Sequence, residues 1–558
     1  MLQIILDKFI SWFKSRNRWW FPLVAGLSFS LCLPPFNHEL SPSLLLFPFL
    51  SFIILIPLLG FSVQKSFRRA LLHTYLFSVS ASLGQYYWIG FVTAEGLWHL
   101  ILIGLVLISA GIGLLYLSAG MLFRFIYKRL RRLYIIVFPA VWVLIDFLRS
   151  VGDISFPWGF LGYSMTPVLP LAQIASFTGV WGLTYLIVLG NMLVWDLVVS
   201  YRVKANRAQK WIHLIVFALF LTIFGFAGLM RMNKKIEGEQ FKVSLLQTNI
   251  DQFNWGNKSL DTAFSITESM VYKASGQKPK LIVGPESALL CYLSRRPELS
   301  SQVLKWADST GVPLILGALH WEKSPEGSFY DYLVYNSAFM VNPLEQKLQP
   351  YHKIKLVPFS EAIPFEGKFP ILSRVNLGEA DFQRGSEATI FNAEGNIKAA
   401  PFICYEIIYP GFVQNRVKKG ADLIVAITND GWFGKSSGPF HHAAMARMRA
   451  VENGLPLVRS ANSGISMIVD QYGRVLNKTG LYERTILTGE FTPVKKETFY
   501  SRWGDWFISF CLLIIIVCSA FSAPGIIRRQ RKMSAKDRAE EKKENAEIQS
   551  SVSSPELK

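Results

Sequence analysis

Three residues whose types can form one nucleophilic site follow separate strand-like runs of this chain. Glu286 lies in "LIVGPESA", Lys353 lies in "YHKIKLVPFSE", and Cys404 ends the apolar run "APFIC". A thiol is a strong nucleophile only as a thiolate, and a position at the start of a helical turn beside a cation favours that charge. Glu286 can take the thiol proton, while Lys353 and the backbone N–H of Tyr405 can hold an oxyanion. The sequence therefore predicts nucleophilic catalysis at Cys404.

Each of these residues also has a structural interpretation when it is taken alone. A cysteine at the end of an apolar strand is often a small buried hydrophobe, and a lone lysine usually lies on the surface. The three residue types together, in this order, favour the catalytic interpretation. Lys355, two residues after Lys353, is a second candidate for the lysine.

The composition indicates a membrane protein that carries a water-soluble part. The 558 residues are 51% hydrophobic and 17% charged, and the mean hydropathy is +0.29. This length exceeds one ordinary domain. The net charge of +19 would indicate a nucleic-acid partner if it formed one basic face, but the basic residues lie in short runs between apolar segments and in the tail. The sequence therefore argues against nucleic-acid binding.

Eight apolar stretches are long enough, or nearly so, to cross a bilayer as helices. They lie at roughly 19–34, 43–62, 70–93, 99–123, 133–149, 178–199, 211–231 and 504–524. A cleaved signal peptide is the alternative for the first stretch, but Pro34-Pro35 and the lack of a small-residue cleavage site argue against it. Because basic residues concentrate in alternate loops, and such loops stay in the cytoplasm, we expect both termini inside.

The segment between the last two stretches predicts a separate α/β domain. Strand-like runs at 242–249, 281–285, 313–318, 335–342, 398–404, 422–427, 456–461 and 465–470 alternate with helical patterns at 259–275, 299–310 and 440–454. This alternation predicts sheets covered by helices. We therefore divide the chain into seven transmembrane helices within 1–231, a periplasmic catalytic domain at 232–503, an eighth transmembrane helix at 504–524, and a basic, disordered cytoplasmic tail at 525–558.

The cysteines and histidines predict neither a metal site nor a cofactor. No two cysteines have the spacing C-x-x-C, and the adjacent His441 and His442 lack the spacing of helical metal ligands. Cys291 and Cys404 could pair in an oxidising compartment, but a disulfide would remove the nucleophile, so we expect both thiols to be free.

Other charged and aromatic residues have mainly structural interpretations. Asp146 and Arg149 are expected to form an ion pair near the end of the fifth apolar stretch, with a place in a headgroup site as the alternative. Arg447 and Arg449 are expected to form salt bridges with Glu452, with binding of a phosphate headgroup as the alternative. The pair Trp432-Phe433 is compatible both with packing in the core and with insertion into the membrane interface. The sequence leaves those two alternatives open.

The motifs resemble the Glu-Lys-Cys triad of the nitrilase, or carbon-nitrogen hydrolase, superfamily. The triad motifs are "GPES", "YHKIKLVPF" and "ICYE". With apolar stretches on both sides of the domain, the chain is similar over nearly its whole length, except the tail, to a membrane-bound acyltransferase branch of that superfamily. The segments that carry this similarity are "FPWGFLGYS", "QTNIDQFNW", "LVPFSEAIPFE", "TNDGWFG" and "ARMRAVENG". The resemblance implies a four-layer αββα sandwich.

The resemblance also implies a two-step acyl transfer at the inner membrane. A phospholipid would give a fatty acyl chain to Cys404 as a thioester, and the α-amino group of the diacylglyceryl cysteine of an apolipoprotein would take it as an amide. Glu286 would be the base and Lys353 the group that stabilises the intermediate. The resemblance further assigns supporting or site-lining roles to Glu361, Glu406, Tyr405, Trp255 and Trp432.

Two other functions remain as alternatives at this point. A membrane-tethered amidase or nitrile hydrolase would use water as the acceptor, although soluble members of the superfamily do not need eight membrane helices. A transporter or scaffold would place ionisable residues in several membrane helices, and apart from Asp146 such residues are scarce in the apolar stretches.

Overall fold

The structure is a computed structural model, which describes most but not all of the chain. The described residues are 20–33, 47–92, 98–130, 133–202, 207–251, 257–324, 326, 331–343, 345, 347–365, 382–493 and 497–522. The sequence predictions for Trp255 and for the tail at 525–558 lie outside these residues.

Apolar helices precede the mixed α/β region, and one follows it. Their bounds are Trp20–Leu27, Phe47–Leu50, Ile56–Ser62, Phe67–Tyr86, Trp98–Arg129, Tyr134–Leu148, Leu169–Ala172, Ala175–Thr178, Val180–Arg202, Arg207–Met232 and Trp506–Ser522. Within the described residues, three segments are long and apolar enough to cross a membrane: Trp98–Arg129, Val180–Ser200 and Ala208–Met232. Large apolar side chains such as Leu107, Ile215 and Ile516 are exposed on these helices. Contiguous apolar surface of this kind is typical of contact with lipid.

The second predicted stretch is two helices rather than one. Phe47–Leu50 and Ile56–Ser62 are separated by a turn, and each contains a proline, which cannot donate a backbone hydrogen bond. The side chain of Asn191 closes the break, because its Nδ2 donates to Ser51 O (2.7 Å) and its Oδ1 accepts from Leu55 N (2.8 Å). In apolar surroundings an unpaired backbone group is costly, so this amide takes the place of the missing helical bonds.

The α/β region contains two mixed sheets. The strands are β1 Phe241–Gln247, β2 Leu281–Val283, β3 Leu289–Tyr292, β4 Leu314–Lys323, β5 Tyr332–Val341, β6 Leu348–His352, β7 Phe391–Ala393, β8 Ile397–Ile403, β9 Leu423–Thr428, β10 Leu457–Ala461, β11 Met467–Val469, β12 Val475–Lys478 and β13 Thr485–Phe491. The first sheet has the order β13-β1-β2-β4-β5-β6, with β3 paired to β4, and the second has the order β12-β11-β10-β9-β8-β7.

The two sheets pack face to face and helices cover their outer faces. Val283 of the first sheet and Val425 of the second belong to the buried layer between them. The outer face of the first sheet packs on helices Asn257–Ser275 and Pro297–Thr310. The outer face of the second sheet packs on Pro410–Lys418 and Gly438–Asn453, which share one continuous core with the apolar helices. A last short helix, Phe499–Trp503, leads out of the domain. This arrangement confirms the predicted αββα sandwich.

A buried ion pair on the helix Gly438–Asn453 makes hydrogen bonds to the apolar helices. Arg449 Nε lies 3.1 Å from Glu452 Oε2, and Arg449 Nη2 donates to Tyr163 OH (2.7 Å). Glu452 Oε1 accepts from Val180 N (2.9 Å), at the start of the apolar helix Val180–Arg202. The predicted pair between Arg449 and Glu452 is therefore confirmed and joins the two parts of the chain. The predicted pair between Asp146 and Arg149 is confirmed too, at 3.0 Å.

Candidate active site

Cys404 begins a tight turn directly after β8. Its φ of +50° lies in the left-handed region, where a residue with a side chain is strained by about 1–3 kcal/mol. Two hydrogen bonds hold this turn: Glu406 Oε2 accepts from Ile403 N (2.8 Å), and the Cys404 carbonyl accepts from His442 Nε2 (3.1 Å). The result is a half-buried cysteine, in no disulfide, at the end of a buried strand.

Lys353 lies between two carboxylates in the layer between the sheets. It follows β6 directly and is 1% exposed. Its Nζ donates to Glu361 Oε1 (2.7 Å) and lies 3.4 Å from Glu286 Oε1. Asn336 Nδ2, from β5, donates to the same oxygens of Glu286 (2.8 Å) and Glu361 (3.2 Å). The backbone N–H of Asn429 donates to the other oxygen of Glu286 (2.9 Å). The site therefore contains one cation and two acids in direct contact.

The charges of this cluster determine the protonation of the lysine and the thiol. Burial lowers the pKa of Lys353, but Glu361 and Glu286 more than offset this effect, so its pKa lies above the usual value and the group is an ammonium. Burial, and then the Glu286 carboxylate, raise the pKa of Cys404, while Lys353 and a hydrogen bond with Thr428 oppose them. The resting thiol is therefore protonated. The turn and the lysine, both of which favour the thiolate, do not overcome burial and the nearby acid.

Glu406 holds the two halves of the site together without contacting Lys353. Its Oε1 accepts from Tyr351 OH (2.7 Å) and from Ile354 N (2.7 Å), and its Oε2 accepts from Ile403 N (2.8 Å). The carboxyl group thus links the segment that carries Lys353 to the strand that precedes the nucleophile candidate. Burial raises the pKa of Glu406, although these donors and a nearby arginine oppose the shift.

The side chain of Tyr405 anchors the nucleophile turn to the apolar helices. Its hydroxyl donates to Ser155 O (2.8 Å), and the hydroxyl of Tyr409 lies 2.9 Å from Ser155 Oγ. The segment that contains Ser155 follows the helix Tyr134–Leu148. The structure therefore gives this tyrosine an anchoring contact, and the site-lining role that the resemblance implies stays a prediction.

Trp432 and Phe433 lie in the turn Asp430–Phe433, close to the apolar helices. Trp432 is half-buried. The centroid of the Phe433 ring lies 4.9 Å from that of Trp88 and 5.7 Å from that of Trp158. Of the two alternatives for this pair, packing in the core is the one observed for Phe433.

The two candidate lysines have different surroundings. Lys353 contacts Glu286 and Glu361, whereas Lys355 Nζ lies 5.3 Å from the ring of Tyr409. Burial and then the charge of Arg384 lower the pKa of Lys355. Only Lys353, of these two, is in contact with the carboxylate of the proposed base.

Several site residues were not found by sequence reasoning. Asp430 and Arg459 form a buried ion pair (2.7 Å) behind His442, whose Nδ1 lies 2.9 Å from Asp430 Oδ1. Although burial opposes it, Arg459 and His442 hold the pKa of Asp430 well below its usual range. These residues lie on three different elements, so no spacing in the sequence indicates that they come together. For Asn336 a signal existed, because it is an amide inside an apolar strand, and a buried amide needs partners.

We expect His442→Ala to release the strained turn at Cys404. The carbonyl of Cys404 would lose its donor, which typically costs about 1–3 kcal/mol for a buried acceptor. The thermal transition of the full-length protein in detergent should fall, and Cys404 should react more slowly with iodoacetamide.

The matched control for this prediction is His441→Ala at the neighbouring position. His441 Nδ1 accepts from Trp158 Nε1 (3.3 Å), a longer bond that does not involve the turn. The proposed role of His442 is contradicted if both variants change the reactivity of Cys404 equally.

Comparisons with known protein sequences match two family models to separate parts of the chain. The carbon-nitrogen hydrolase family model matches residues 242–496, and the model of the apolipoprotein N-acyltransferase N-terminal domain matches residues 25–193. The apolipoprotein N-acyltransferase of Geobacter metallireducens is 35% identical over 392 residues, which are 70% of this chain and 74% of the relative. That of Rickettsia typhi is 31% identical over 489 residues, which are 85% of this chain and 92% of the relative.

Two solved structures of the nitrilase superfamily match about half of the chain. Nit3 of Saccharomyces cerevisiae has a TM-score of 0.35 and 20% identity, and the similarity covers 47% of this chain and 93% of that one. A mutant of the Nesterenkonia AN1 amidase has a TM-score of 0.36 and 18% identity, with 49% of this chain and 97% of the amidase covered.

Proposed function

The chain belongs to the apolipoprotein N-acyltransferase family, and from this premise we propose that it moves a fatty acyl chain from a phospholipid to an apolipoprotein. The chain would pass through a thioester on Cys404 to the α-amino group of the diacylglyceryl cysteine. The observation that carries this proposal is the contact of the Lys353 ammonium with Glu286 and Glu361, next to a protonated thiol.

In the first half-reaction, Glu286 takes the proton of Cys404 while the sulfur attacks the carbonyl carbon of the phospholipid ester. The ammonium of Lys353 stabilises the oxyanion that forms, and one such donor typically contributes about 3 kcal/mol. When the carbon–oxygen ester bond breaks, the leaving alkoxide takes the proton back from Glu286. The products are a lysophospholipid and the thioester.

In the second half-reaction, the amine of the apolipoprotein attacks the thioester and Glu286 accepts a proton from its nitrogen. The carbon–sulfur bond breaks, and the sulfur recovers a proton as the thiol. A stable amide forms, and Glu286, Lys353 and Cys404 return to their starting states. Glu361 keeps its contact with Lys353 throughout and so holds the ammonium in place.

A lipid donor is supported by the apolar helices. Moving an acyl chain into water costs roughly 0.8 kcal/mol per CH₂, which is on the order of 12 kcal/mol for a 16-carbon chain. The enzyme should therefore receive its donor at the bilayer. The continuous core between the apolar helices and the second sheet supports a site held at that surface.

The apolar helices and the family point to an inner membrane protein. We propose further that eight helices cross this membrane, with the catalytic domain in the periplasm and both termini in the cytoplasm. The alternation of basic loops supports this orientation. The shorter apolar helices Trp20–Cys32, Tyr134–Leu148 and Trp506–Ser522 are candidates for spans that their flanking residues complete.

Mass spectrometry of the full-length protein incubated with phospholipid tests this function. We expect a fatty acyl adduct on the peptide that contains Cys404, and we expect a diacylated lipopeptide with a free amine to remove it. Cys404→Ala should carry no adduct, whereas Cys291→Ala, which removes a buried thiol in another part of the domain, should carry it.

Two results would contradict the proposal. An adduct that survives Cys404→Ala would exclude this thiol as the nucleophile. Removal of the adduct by water as fast as by the lipopeptide would favour a membrane-tethered amidase instead.

A further inference from the structure

Two histidines and a glutamate meet on the back of the strands that carry the site. His320 and Glu322 lie two residues apart on β4, and His352 is the last residue of β6. Successive residues of a strand face opposite sides of the sheet. His352 therefore faces away from Lys353, on the outer face of the first sheet, and shares that face with His320 and Glu322 across β5.

The donor atoms of these three side chains converge. Glu322 Oε1 lies 3.0 Å from His320 Nε2 and 3.8 Å from His352 Nε2. One nitrogen or oxygen from each side chain lies within 4.8 Å of the other two. The two imidazole rings are 4.8 Å apart between centroids. Both Nε2 atoms thus point towards one carboxylate.

Ser337 can support the tautomer of His352 that leaves Nε2 able to bind a cation. The oxygen of Ser337 lies 2.8 Å from His352 Nδ1 and 3.4 Å from the carbonyl oxygen of Tyr335. In the tautomer that carries its hydrogen on Nδ1, the Ser337 oxygen accepts from Nδ1–H while the hydroxyl donates to that carbonyl. The lone pair of His352 Nε2 then faces the Glu322 carboxylate, and two acceptors repel each other unless a cation lies between them. A hydrogen bond on the second ring nitrogen is typical of metal-binding histidines.

The cluster is enclosed by protein on one side and open to water on the other. The side chains of His320 and His352 are 14% and 20% exposed, and that of Glu322 is 47% exposed. The ring of Tyr335 stacks on His352 with 4.3 Å between centroids and limits its movement. The histidines are therefore held in place, while the exposed carboxylate is free to adjust and a water molecule can reach the centre.

We propose that this cluster binds one divalent transition metal ion of the zinc class. His320 Nε2, His352 Nε2 and the Glu322 carboxylate would be its protein ligands, and water would complete a tetrahedron. Two imidazoles and one carboxylate are a donor set that suits Zn²⁺. Bonds of about 2.0–2.1 Å place tetrahedral ligands roughly 3.4 Å apart. The widest separation, within 4.8 Å, would therefore close by up to about 1.4 Å, and the 3.0 Å separation would widen slightly. The ion would join β4 to β6 across β5 and restrain the strand end from which Lys353 extends.

A cobalt titration of the full-length protein in detergent tests the site. Because the catalytic thiol can itself bind such metals, the parent protein carries Cys404→Ala. We expect Co²⁺ to give visible ligand-field absorption that saturates at one ion per chain, without a sulfur charge-transfer band. Zn²⁺ should abolish this absorption by displacement and raise the temperature of thermal unfolding.

Three variants separate a metal site from a surface hydrogen-bond cluster. His320→Gln and Glu322→Gln should abolish saturable cobalt absorption, and Ser337→Ala should weaken binding by about 10- to 100-fold, as is usual when a histidine loses its supporting partner. Glu298→Gln, at an exposed carboxylate outside this cluster, should leave binding unchanged. Absorption that persists in Glu322→Gln, or the lack of saturable binding in the parent, would overturn the proposal. Because Glu322 is half-exposed, its substitution should not prevent folding.

Discussion

Replacing Glu286 with glutamine is expected to slow formation of the thioester by about 10²- to 10⁴-fold, the usual contribution of a general base. The amide keeps the size of the side chain but cannot take the proton of Cys404. The same substitution should make the thiol easier to ionise, because the Glu286 carboxylate is one of the groups that raise the pKa of Cys404. Thioester formation and thiol ionisation should therefore change in opposite directions.

Two measurements on the same variant check this expectation. Acyl adduct formation from phospholipid gives the rate of acyl transfer, and the pH dependence of iodoacetamide alkylation reports ionisation of the thiol. In Glu286→Gln the alkylation profile should move to lower pH, while the adduct forms more slowly. If both reactivities fell together, with no shift of the profile, Glu286 would have only a structural role.

Glu361→Gln is the matched control for Glu286→Gln. Glu361 accepts from the same lysine (2.7 Å) and belongs to the same cluster. Its charge raises the pKa of Cys404 less than the charge of Glu286 does. Its loss should therefore slow thioester formation less and shift the alkylation profile less. An equal effect of the two substitutions would contradict the assignment of Glu286 as the base.

The second large effect is expected from Lys353→Met, which should remove both activity and stability. Methionine leaves Glu286 and Glu361 buried without their cation, and breaking a buried ion pair in this way typically costs about 3–5 kcal/mol. Loss of the oxyanion donor should slow thioester formation by about 10²-fold or more. The unfolding temperature in detergent and the rate of adduct formation measure the two effects.

A double variant separates the structural part of this effect from the chemical part. Lys353→Met with Glu361→Gln removes one of the two unpaired charges, so it should recover part of the lost stability without recovering acyl transfer. Lys355→Met is the control, because Lys355 packs on a tyrosine ring instead of a carboxylate. A larger loss of activity in Lys355→Met than in Lys353→Met would reverse the assignment of the lysine.

Much of the fold could be predicted because its strands are short, apolar and bounded by turn residues. The strands that precede Glu286 and Cys404 were both found from such runs. The strand before Lys353 was expected only as a strand-like run without bounds. It contains Pro350 and lies at the edge of its sheet, where proline is tolerated but weakens the sequence signal.

The site was predictable only where a residue lies within a recognisable motif. Glu286, Lys353 and Glu361 were found in this way, and the structure brings them into contact. The link between Asp430, His442 and the Cys404 carbonyl joins elements that are distant in the sequence, so no spacing could reveal it. The direction in which the pKa of the thiol shifts could not be predicted for a similar reason, since its burial depends on tertiary packing.

The pairing of β1 with β13 brings the N-terminal and C-terminal ends of the α/β region next to each other. Phe241, in the first strand, is opposite Phe491, in the last. Domains whose ends lie close together can be inserted into a loop of another protein with little disturbance to either. The α/β region can therefore stand between two apolar helices without any change to its sheets.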